Sequence, residues 1–193
     1  MANCINLCTS DPLGTYELAD CTNDPVGGMS AVIFLECDHH LVTADFDDPT
    51  TLGTKINAEI TAGRATLVER CSLTFEAASE VTQDSLVPCE TASLVTYERT
   101  AKYVNPNISH TNIAFHNNLF DGRNFGGLIA YECGYDDSTE TKYISWVDAS
   151  VKFTGSRIVP GMNTEFQRFE GTGKWKSKFN PQRYEAPAGV FFQ

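Results

Sequence analysis

From Tyr143 to Phe179 the chain reads YISWVDASVKFTGSRIVPGMNTEFQRFEGTGKWKSKF. In its second part every second residue from Arg168 onward is polar or charged, and the run before Pro160 alternates in the same way. A period of two residues is typical of a β-strand with one buried face. The stretch therefore predicts two long strands joined near Pro160-Gly161. We expect this hairpin to project beyond the sheet or to bend at Gly171 and Gly173.

The size and composition of the chain indicate one globular domain. It has 193 residues, of which 41% are hydrophobic and 20% charged, and a chain of this length can bury one substantial core. No apolar run reaches the roughly 18 residues that a membrane-spanning helix needs, and no basic segment followed by an apolar one is visible at the start. The sequence predicts an arm over 1–28, which docks on a neighbouring copy, and a β-rich domain over 29–193, folded in a cytosol without a membrane partner.

The charge is distributed unevenly. The net charge is −11; residues 1–54 contain nine carboxylates and no Lys or Arg, whereas residues 151–193 contain seven Lys or Arg and three Glu. A solvated surface explains this asymmetry, and so does a head-to-tail contact between copies with complementary potentials. For the second interpretation we expect Lys174, Lys176 and Lys178 to form the subunit interface and to meet carboxylates within residues 36–48 of an adjacent copy.

The remaining elements indicate a mainly β (α+β) fold. Asp47, Asp48 and Pro49 predict the start of a helix over 49–62, and Gly63 predicts its end. A second, short helix is predicted to be capped by Ser109, to carry Ile113, Ala114 and Phe120 and to end near Asp121-Gly122, and residues 76–91 are predicted to be a loop. Strands are predicted at 29–36, 41–44, 65–75, 95–103 and 128–135. Local strand connections favour an antiparallel β-sandwich or barrel-like sheet with one or two packed helices and a long C-terminal hairpin.

The seven cysteines cannot all pair internally. Cys37, Cys71 and Cys133 share faces with apolar neighbours and are expected to be small buried side chains. Without a visible signal peptide, reduced thiols are expected. Cys37-Asp38-His39-His40 contains metal-ligand chemistry but lacks the paired short spacing of zinc sites, so a strand end with exposed histidines is predicted and no metal or cofactor.

No pattern in the sequence predicts catalysis. The aspartates at 45–48 are explained by helix capping, because the other ligands of a calcium loop do not follow them. Gly171-Thr172-Gly173-Lys174 is not a phosphate-binding loop, since the required earlier Gly is Arg168 and the residue after the Lys is Trp175. The chain also lacks a nucleophile-elbow motif. We therefore expect a protein that is not an enzyme.

A resemblance to a known family is carried by the order of several segments. These are the acidic Thr-Ala-Asp-Phe-Asp-Asp-Pro stretch, the amphipathic helix ending in Ala-Gly-Arg, a polar loop with a Cys, a Thr/Tyr-rich strand, the Asn-rich helix at 112–118 and the ending Lys-Trp-Lys-Ser-Lys-Phe-Asn-Pro-Gln-Arg-Tyr-Glu-Ala-Pro. Over about residues 30–193 the chain resembles virion structural proteins of tailed bacteriophages, of the tail or tail-tube type.

The resemblance implies a β-sandwich subunit of a virion, assembled in the host cytoplasm into rings or a tube through which DNA passes. Its partners would be copies of itself and other virion proteins, and an acidic protein would let DNA pass without binding it. The alternative is a secreted or surface ligand-binding β-sandwich module. The state of the cysteines separates the two, because a secreted module should pair six of them and a virion protein should keep mostly free thiols.

Overall fold

The computed structural model describes Leu13, Tyr16 and residues 28–83, 94–133, 142–158 and 167–191. The first five strands are β1 (Gly28–Leu35), β2 (Ala65–Phe75), β3 (Ser79–Gln83), β4 (Leu94–Asn105) and β5 (Asp121–Phe125). The last five are β6 (Gly127–Cys133), β7 (Tyr143–Val147), β8 (Val151–Ile158), β9 (Arg168–Ser177) and β10 (Gln182–Glu185). Two α-helices, α1 (Pro49–Thr61) and α2 (His110–Phe120), and a 3-10 helix, Thr43–Asp47, complete the described elements. Neither described α-helix is long and apolar enough to cross a membrane.

All ten described strands belong to one antiparallel sheet in the order β10-β7-β6-β1-β2-β4-β9-β8-β5, with β3 paired to β4. The sheet curls over its own inner face, because the ring of Phe34 on β1 lies 5.1 Å from those of Phe125 on β5 and Phe153 on β8. The path still ends at two separate strands, β10 and β5. The predicted mainly β, sandwich-like fold is therefore confirmed, as an open sheet and not a closed barrel.

The two faces of the sheet bury separate cores. The inner core contains Phe34, Phe153 and Trp175 together with Phe115 and Leu119 of α2. The outer core lies between α1 and one half of the sheet, where the fully buried Leu52 and Ile56 join side chains of β1, β6 and β7. Helix α1 thus confirms the prediction for 49–62, and Gly63 follows it with a φ of 73°.

The C-terminal hairpin is confirmed between β8 and β9 alone. The predicted first strand is interrupted at Asp148–Ser150, and its two parts occupy different places: β7 lies between β10 and β6, and β8 between β9 and β5. Strand β9 does not project from the sheet, because it pairs with β4 from Phe169 to Ser177 and with β8 from Arg168 to Lys174. The predicted connection at Pro160-Gly161 lies outside the described residues.

Gly171 and Gly173 admit aromatic rings close to the backbone of β9. A Cβ at Gly171 would lie 2.3 Å from Cε1 of Phe120, and one at Gly173 would lie 2.6 Å from Cε2 of Phe153. Real side chains do not tolerate such distances. The two glycines therefore serve ring packing against the strand.

Several local predictions are wrong. The segment 41–44 is not a strand, since a 3-10 helix starts at Thr43, and the predicted loop at 76–91 contains β3. Helix α2 itself confirms the predicted short helix, because Ser109 caps it by accepting a hydrogen bond from Asn112 N and Asp121 follows its end. Of the residues predicted to lie on it, Ala114 is exposed, while the buried residues are Asn112, Phe115, His116 and Leu119. Polar Asn112 and His116 can be buried because they form hydrogen bonds within the protein.

A bulge in β2 overturns the predicted faces of that strand. Arg70 has a φ of 56°, and the register with β1 shifts between Ala31↔Glu69 and Met29↔Leu73. The shift places Val68 and Cys71, three residues apart, in the same inner core. Val68 is therefore fully buried and not outward as predicted.

Two described residues of the predicted arm belong to the core of their own chain. Leu13 is 2% exposed, and the Tyr16 hydroxyl donates a hydrogen bond to Glu69 O at 3.0 Å. The rest of 1–27 lies outside the described residues, so docking of that part on a neighbour stays a prediction.

Two of the cysteines, Cys71 and Cys37, differ in oxidation state and in burial. Cys71 is free and fully buried, as predicted, and burial raises the pKa of its thiol. Cys37 was predicted to be reduced and buried, but it is partly exposed and disulfide-bonded. The side chain of Cys133 also lies outside them.

Candidate subunit interface

Two of the three predicted interface lysines, Lys174 and Lys176, lie on the outward side of β9, which pairs with β4 and β8. Trp175 of β9 points into the inner core, so its neighbours Lys174 and Lys176 point outward, and both are exposed. Neither described helix covers this side: α1 packs on the other half of the sheet, and α2 packs into the inner core. We call the outward side chains around Lys152, Lys174 and Lys176 the lysine face.

The strand register brings like charges together on the lysine face. Lys152 of β8 lies directly opposite Lys174 of β9, an arrangement that destabilises a sheet when no counter-charge is near. Glu98 of β4 partly offsets it, with Oε1 3.5 Å from Lys174 Nζ. Within the described part of the chain, Lys152 and Lys176 form no ion pair. The lysine face therefore has positive charge available to a partner.

The structure places only two of the three predicted lysines on this face. Lys178 follows the end of β9 at Ser177 and is exposed. The strand register adds two lysines to this face that were not predicted to belong to it. One is Lys152 of β8. The other is Lys102 of β4, whose Nζ is 2.5 Å from Glu76 Oε1. One feature of the sequence pointed to Lys152, namely its position on the polar side of an alternating run.

Three of the five carboxylates at 36–48 are engaged within their own chain, so the predicted contact with an adjacent copy stays a prediction for the other two. Glu36 pairs with Arg123 at 2.7 Å, and Asp45 pairs with Lys55 and accepts a hydrogen bond from Val42 N. The Asp48 side chain caps α1 by accepting from the N–H groups of two residues in its first turn. Capping was predicted and is confirmed. Of the Asp and Glu side chains at 36–48, only those of Asp38 and Asp47 are exposed and outside these interactions.

Three exposed carboxylates lie near Tyr184 or near His39. Burial raises the pKa of the Tyr184 hydroxyl, and the nearby carboxylates of Asp47 and Asp148 raise it further. Burial lowers the pKa of His39, and the carboxylates of Glu59, Asp148 and Asp38 raise it in part. We call Asp38, Asp47 and Asp148, which are all exposed, the acidic corner. Its charge is opposite in sign to that of the lysine face.

The histidines near Cys37 do not form a metal site in the described residues. Cys37 is disulfide-bonded, and His39 is half-buried with an Nδ1 that has no hydrogen-bond partner. His40 is exposed, with Nδ1 3.6 Å from Glu59 Oε1, and that carboxylate already forms two hydrogen bonds with Arg64. The described part of the chain contains no group of three or more side chains suited to a metal ion.

A buried polar network joins the N-terminal segment to β4 and α2, and sequence reasoning did not find it. Asn105 Nδ2 donates to the hydroxyls of Tyr16 at 3.0 Å and Tyr103 at 2.9 Å. The Tyr103 hydroxyl lies 3.0 Å from His116 Nε2. These groups satisfy one another, which explains how polar side chains occupy the inner core.

Comparison with known proteins identifies no relative. No protein-family model matches the chain, and searches of curated proteins and of solved structures return no match.

Proposed function

We propose that this protein is a structural subunit that assembles with copies of itself, as a tail or tail-tube protein of a tailed-bacteriophage virion. The observation that carries the self-association is the uncovered lysine face on a chain whose net charge is −11. A positive surface on an acidic protein is complementary to other surfaces of the same protein. The resemblance in segment order supports the virion assignment, and the sandwich-like sheet is compatible with it.

The contact that we propose joins the lysine face of one copy to the acidic corner of the next. Such a contact is heterologous, because it uses two different surfaces, and it closes into a ring or continues as a filament. Each exposed ion pair contributes only about 0–1 kcal/mol. In a ring the same contact recurs at every interface, so the small contributions add up. The charges also disfavour misaligned contacts, in which like charges would meet.

The test is a double charge reversal with a matched control. Lys152→Glu with Lys176→Glu changes two lysines without a described ion pair, and Lys142→Glu with Arg157→Glu makes the same change of net charge at exposed positions outside the lysine face. Sedimentation velocity at low salt and negative-stain microscopy should show rings or filaments for the natural chain and the control. The Lys152/Lys176 variant should remain folded, by circular dichroism, but unassembled.

A charge swap makes the test specific to the partner surface. Adding Asp47→Lys and Asp148→Lys to the Lys152/Lys176 variant exchanges the signs of both surfaces and should restore assembly. Assembly of the Lys152/Lys176 variant equal to that of the natural chain at low salt would refute the proposed contact. A natural chain that stays monomeric at high concentration would refute self-association itself.

One observation favours the second candidate, a secreted or surface ligand-binding module. The disulfide at Cys37 is unusual for a protein that folds in a reducing cytosol. Thiol titration of the purified chain in denaturant, without reductant, separates the candidates. Six paired cysteines would support the module, and mostly free thiols would support the virion subunit.

A further inference from the structure

A cavity of about 250 Å³ lies where the ends of β7 and β9 meet the segment that leads into β10. It is lined by the end of β7 and the residues that follow it, by the end of β9, and by residues 179–182. Sites for drug-sized ligands have volumes of about 300–1,000 Å³. This cavity is smaller, so it has room for one small ring and not for a chain of rings.

Three aromatic residues line the cavity, and two of them are buried and packed against other rings. Trp146 is 2% exposed and stacks on Phe46 with a centroid distance of 4.0 Å. Trp175 is 4% exposed and packs edge-on against Phe75. Phe179 differs from both, because it is 73% exposed. An aromatic ring that is exposed to water beside a cavity offers a flat apolar surface to a ligand.

The polar lining offers both a hydrogen-bond donor and an acceptor. Arg99 Nη1 donates to Asn180 Oδ1 at 2.6 Å, which orients the amide and leaves its Nδ2 without an acceptor among the described residues. Asp148 is exposed and forms neither a hydrogen bond nor an ion pair with any described residue. A carboxylate accepts and an amide NH₂ group donates, whereas a hydroxyl group does both. This pair of side chains is therefore complementary to neighbouring hydroxyl groups of one ligand.

The charges beside the cavity favour a neutral ligand. Among the described residues that line the cavity, Asp148 is the only charged one, and it repels anions. Arg99 does not line the cavity, but its buried guanidinium binds Asn180 and disfavours a cation at that side chain. A polyhydroxylated ring without net charge meets neither repulsion.

We propose that this cavity binds one monosaccharide unit of a neutral carbohydrate. Hydroxyl groups of the sugar would accept from Asn180 Nδ2 and donate to Asp148, and the C–H face of the sugar ring would pack on Phe179. The sugar has two sources, a free monosaccharide or one unit of a longer glycan. The site does not rest on self-association, although it shares Asp148 with the acidic corner.

Tryptophan fluorescence reports directly on this cavity, because Trp146 and Trp175 are the two tryptophans of the chain and both line it. The dilute full chain is titrated with glucose, galactose, mannose and N-acetylglucosamine, and with glycerol as an acyclic polyol control. For at least one of the sugars we expect a saturable change with a Kd on the order of 1–10 mM, and for glycerol we expect none.

The methyl glycoside of the sugar that binds identifies its source. Its anomeric oxygen is blocked at the point where a glycan chain would continue. A fluorescence response equal to that of the free sugar supports a unit of a glycan, and a lost response supports a free monosaccharide.

Two variants test the assigned contacts. Phe179→Ala removes an exposed ring and should weaken sugar binding about tenfold, whereas Val42→Ala, at an exposed apolar side chain outside the cavity lining, should bind like the natural chain. Asn180→Asp keeps an oxygen acceptor for Arg99 Nη1 but replaces the Nδ2 donor by a second oxygen. It should keep or raise the unfolding midpoint, because a carboxylate compensates the buried arginine. It should also weaken sugar binding about tenfold or more, because the amide donor is lost.

The proposal is overturned if none of the four sugars changes the fluorescence saturably, or if either Phe179→Ala or Asn180→Asp binds sugar as tightly as the natural chain. Tetramethylammonium chloride, compared with sodium chloride at equal ionic strength, is the cationic probe. A saturable response to it and to no sugar would overturn the proposal in favour of a cation site at Asp148. The Lys152/Lys176 double reversal should retain its sugar response, which distinguishes failure of the proposed assembly from failure of this site.

Discussion

Acidification should destabilise this protein in part through the fully buried His116. His116 is 0% exposed, and its ring stacks on Phe169 with a centroid distance of 3.8 Å. Its Nδ1 lies 2.7 Å from Asn112 O, which can only accept, so Nδ1 carries the proton. Nε2 then accepts from the Tyr103 hydroxyl. The neutral ring is therefore fully hydrogen-bonded, and a second proton on Nε2 would break the bond from Tyr103.

The size of the effect follows from the pKa of His116. Burial lowers this pKa from 6.5 to about 4, although the bond to Asn112 acts in the opposite direction. Between these two values the unfolded chain binds more protons than the folded chain, so stability is fully present above pH 6.5 and falls as the pH falls towards 4. The lowered pKa corresponds to a loss of about 3 kcal/mol in the free energy of unfolding.

Urea unfolding at neutral pH and near pH 4 measures this loss. Carboxylates also titrate over the range, so the informative quantity is the difference between the natural chain and His116→Gln, which cannot titrate. His116→Gln should lose about 3 kcal/mol less on acidification, and His110→Gln, at an exposed histidine, should behave like the natural chain. Equal losses in the natural chain and His116→Gln would refute the reasoning. If His116→Gln does not fold, the pKa of the ring measured by NMR in the natural chain replaces the comparison, and a value near 6.5 would refute it.

Two packing predictions can be checked by chemical unfolding. Ile56→Ala on α1 should cost about 2–5 kcal/mol, since Ile56 is fully buried, while the exposed Thr54→Ala should change stability by less than about 0.5 kcal/mol; an unchanged midpoint for Ile56→Ala would mean that α1 does not cover the sheet. Gly173→Ala should cost about 1–3 kcal/mol, because its Cβ would lie 2.6 Å from the ring of Phe153. Adding Phe153→Leu should recover part of that loss, and strictly additive losses would count against the contact.

The parts of the fold that the sequence predicted well are those encoded locally. Helix α1 has its signals within its own length, from the capping Asp48 and Pro49 to Gly63. Strand β6 and the β8–β9 hairpin follow from alternation of apolar and polar residues. Because these signals depend on neighbours in sequence, they predict the same element in any tertiary context.

The elements that were missed depend on distant contacts. Strand β3 is polar and exists through its pairing with β4, and the faces of β2 depend on the bulge at Arg70. The buried face of α2 includes Asn112 and His116, which are polar and become acceptable inside only because other elements supply their partners. A search for apolar residues at helical spacing therefore does not identify a buried helix face of this kind.

The candidate interface was predictable in part for the same reason. Alternation in β9 places Lys174 and Lys176 on one side of the strand whatever its neighbours are. That Lys152 lies opposite Lys174 depends on the register across β8 and β9, and that the carboxylates at 36–48 are mostly engaged depends on Arg123 and Lys55. The residues of one surface could thus be predicted, and its charge balance could not.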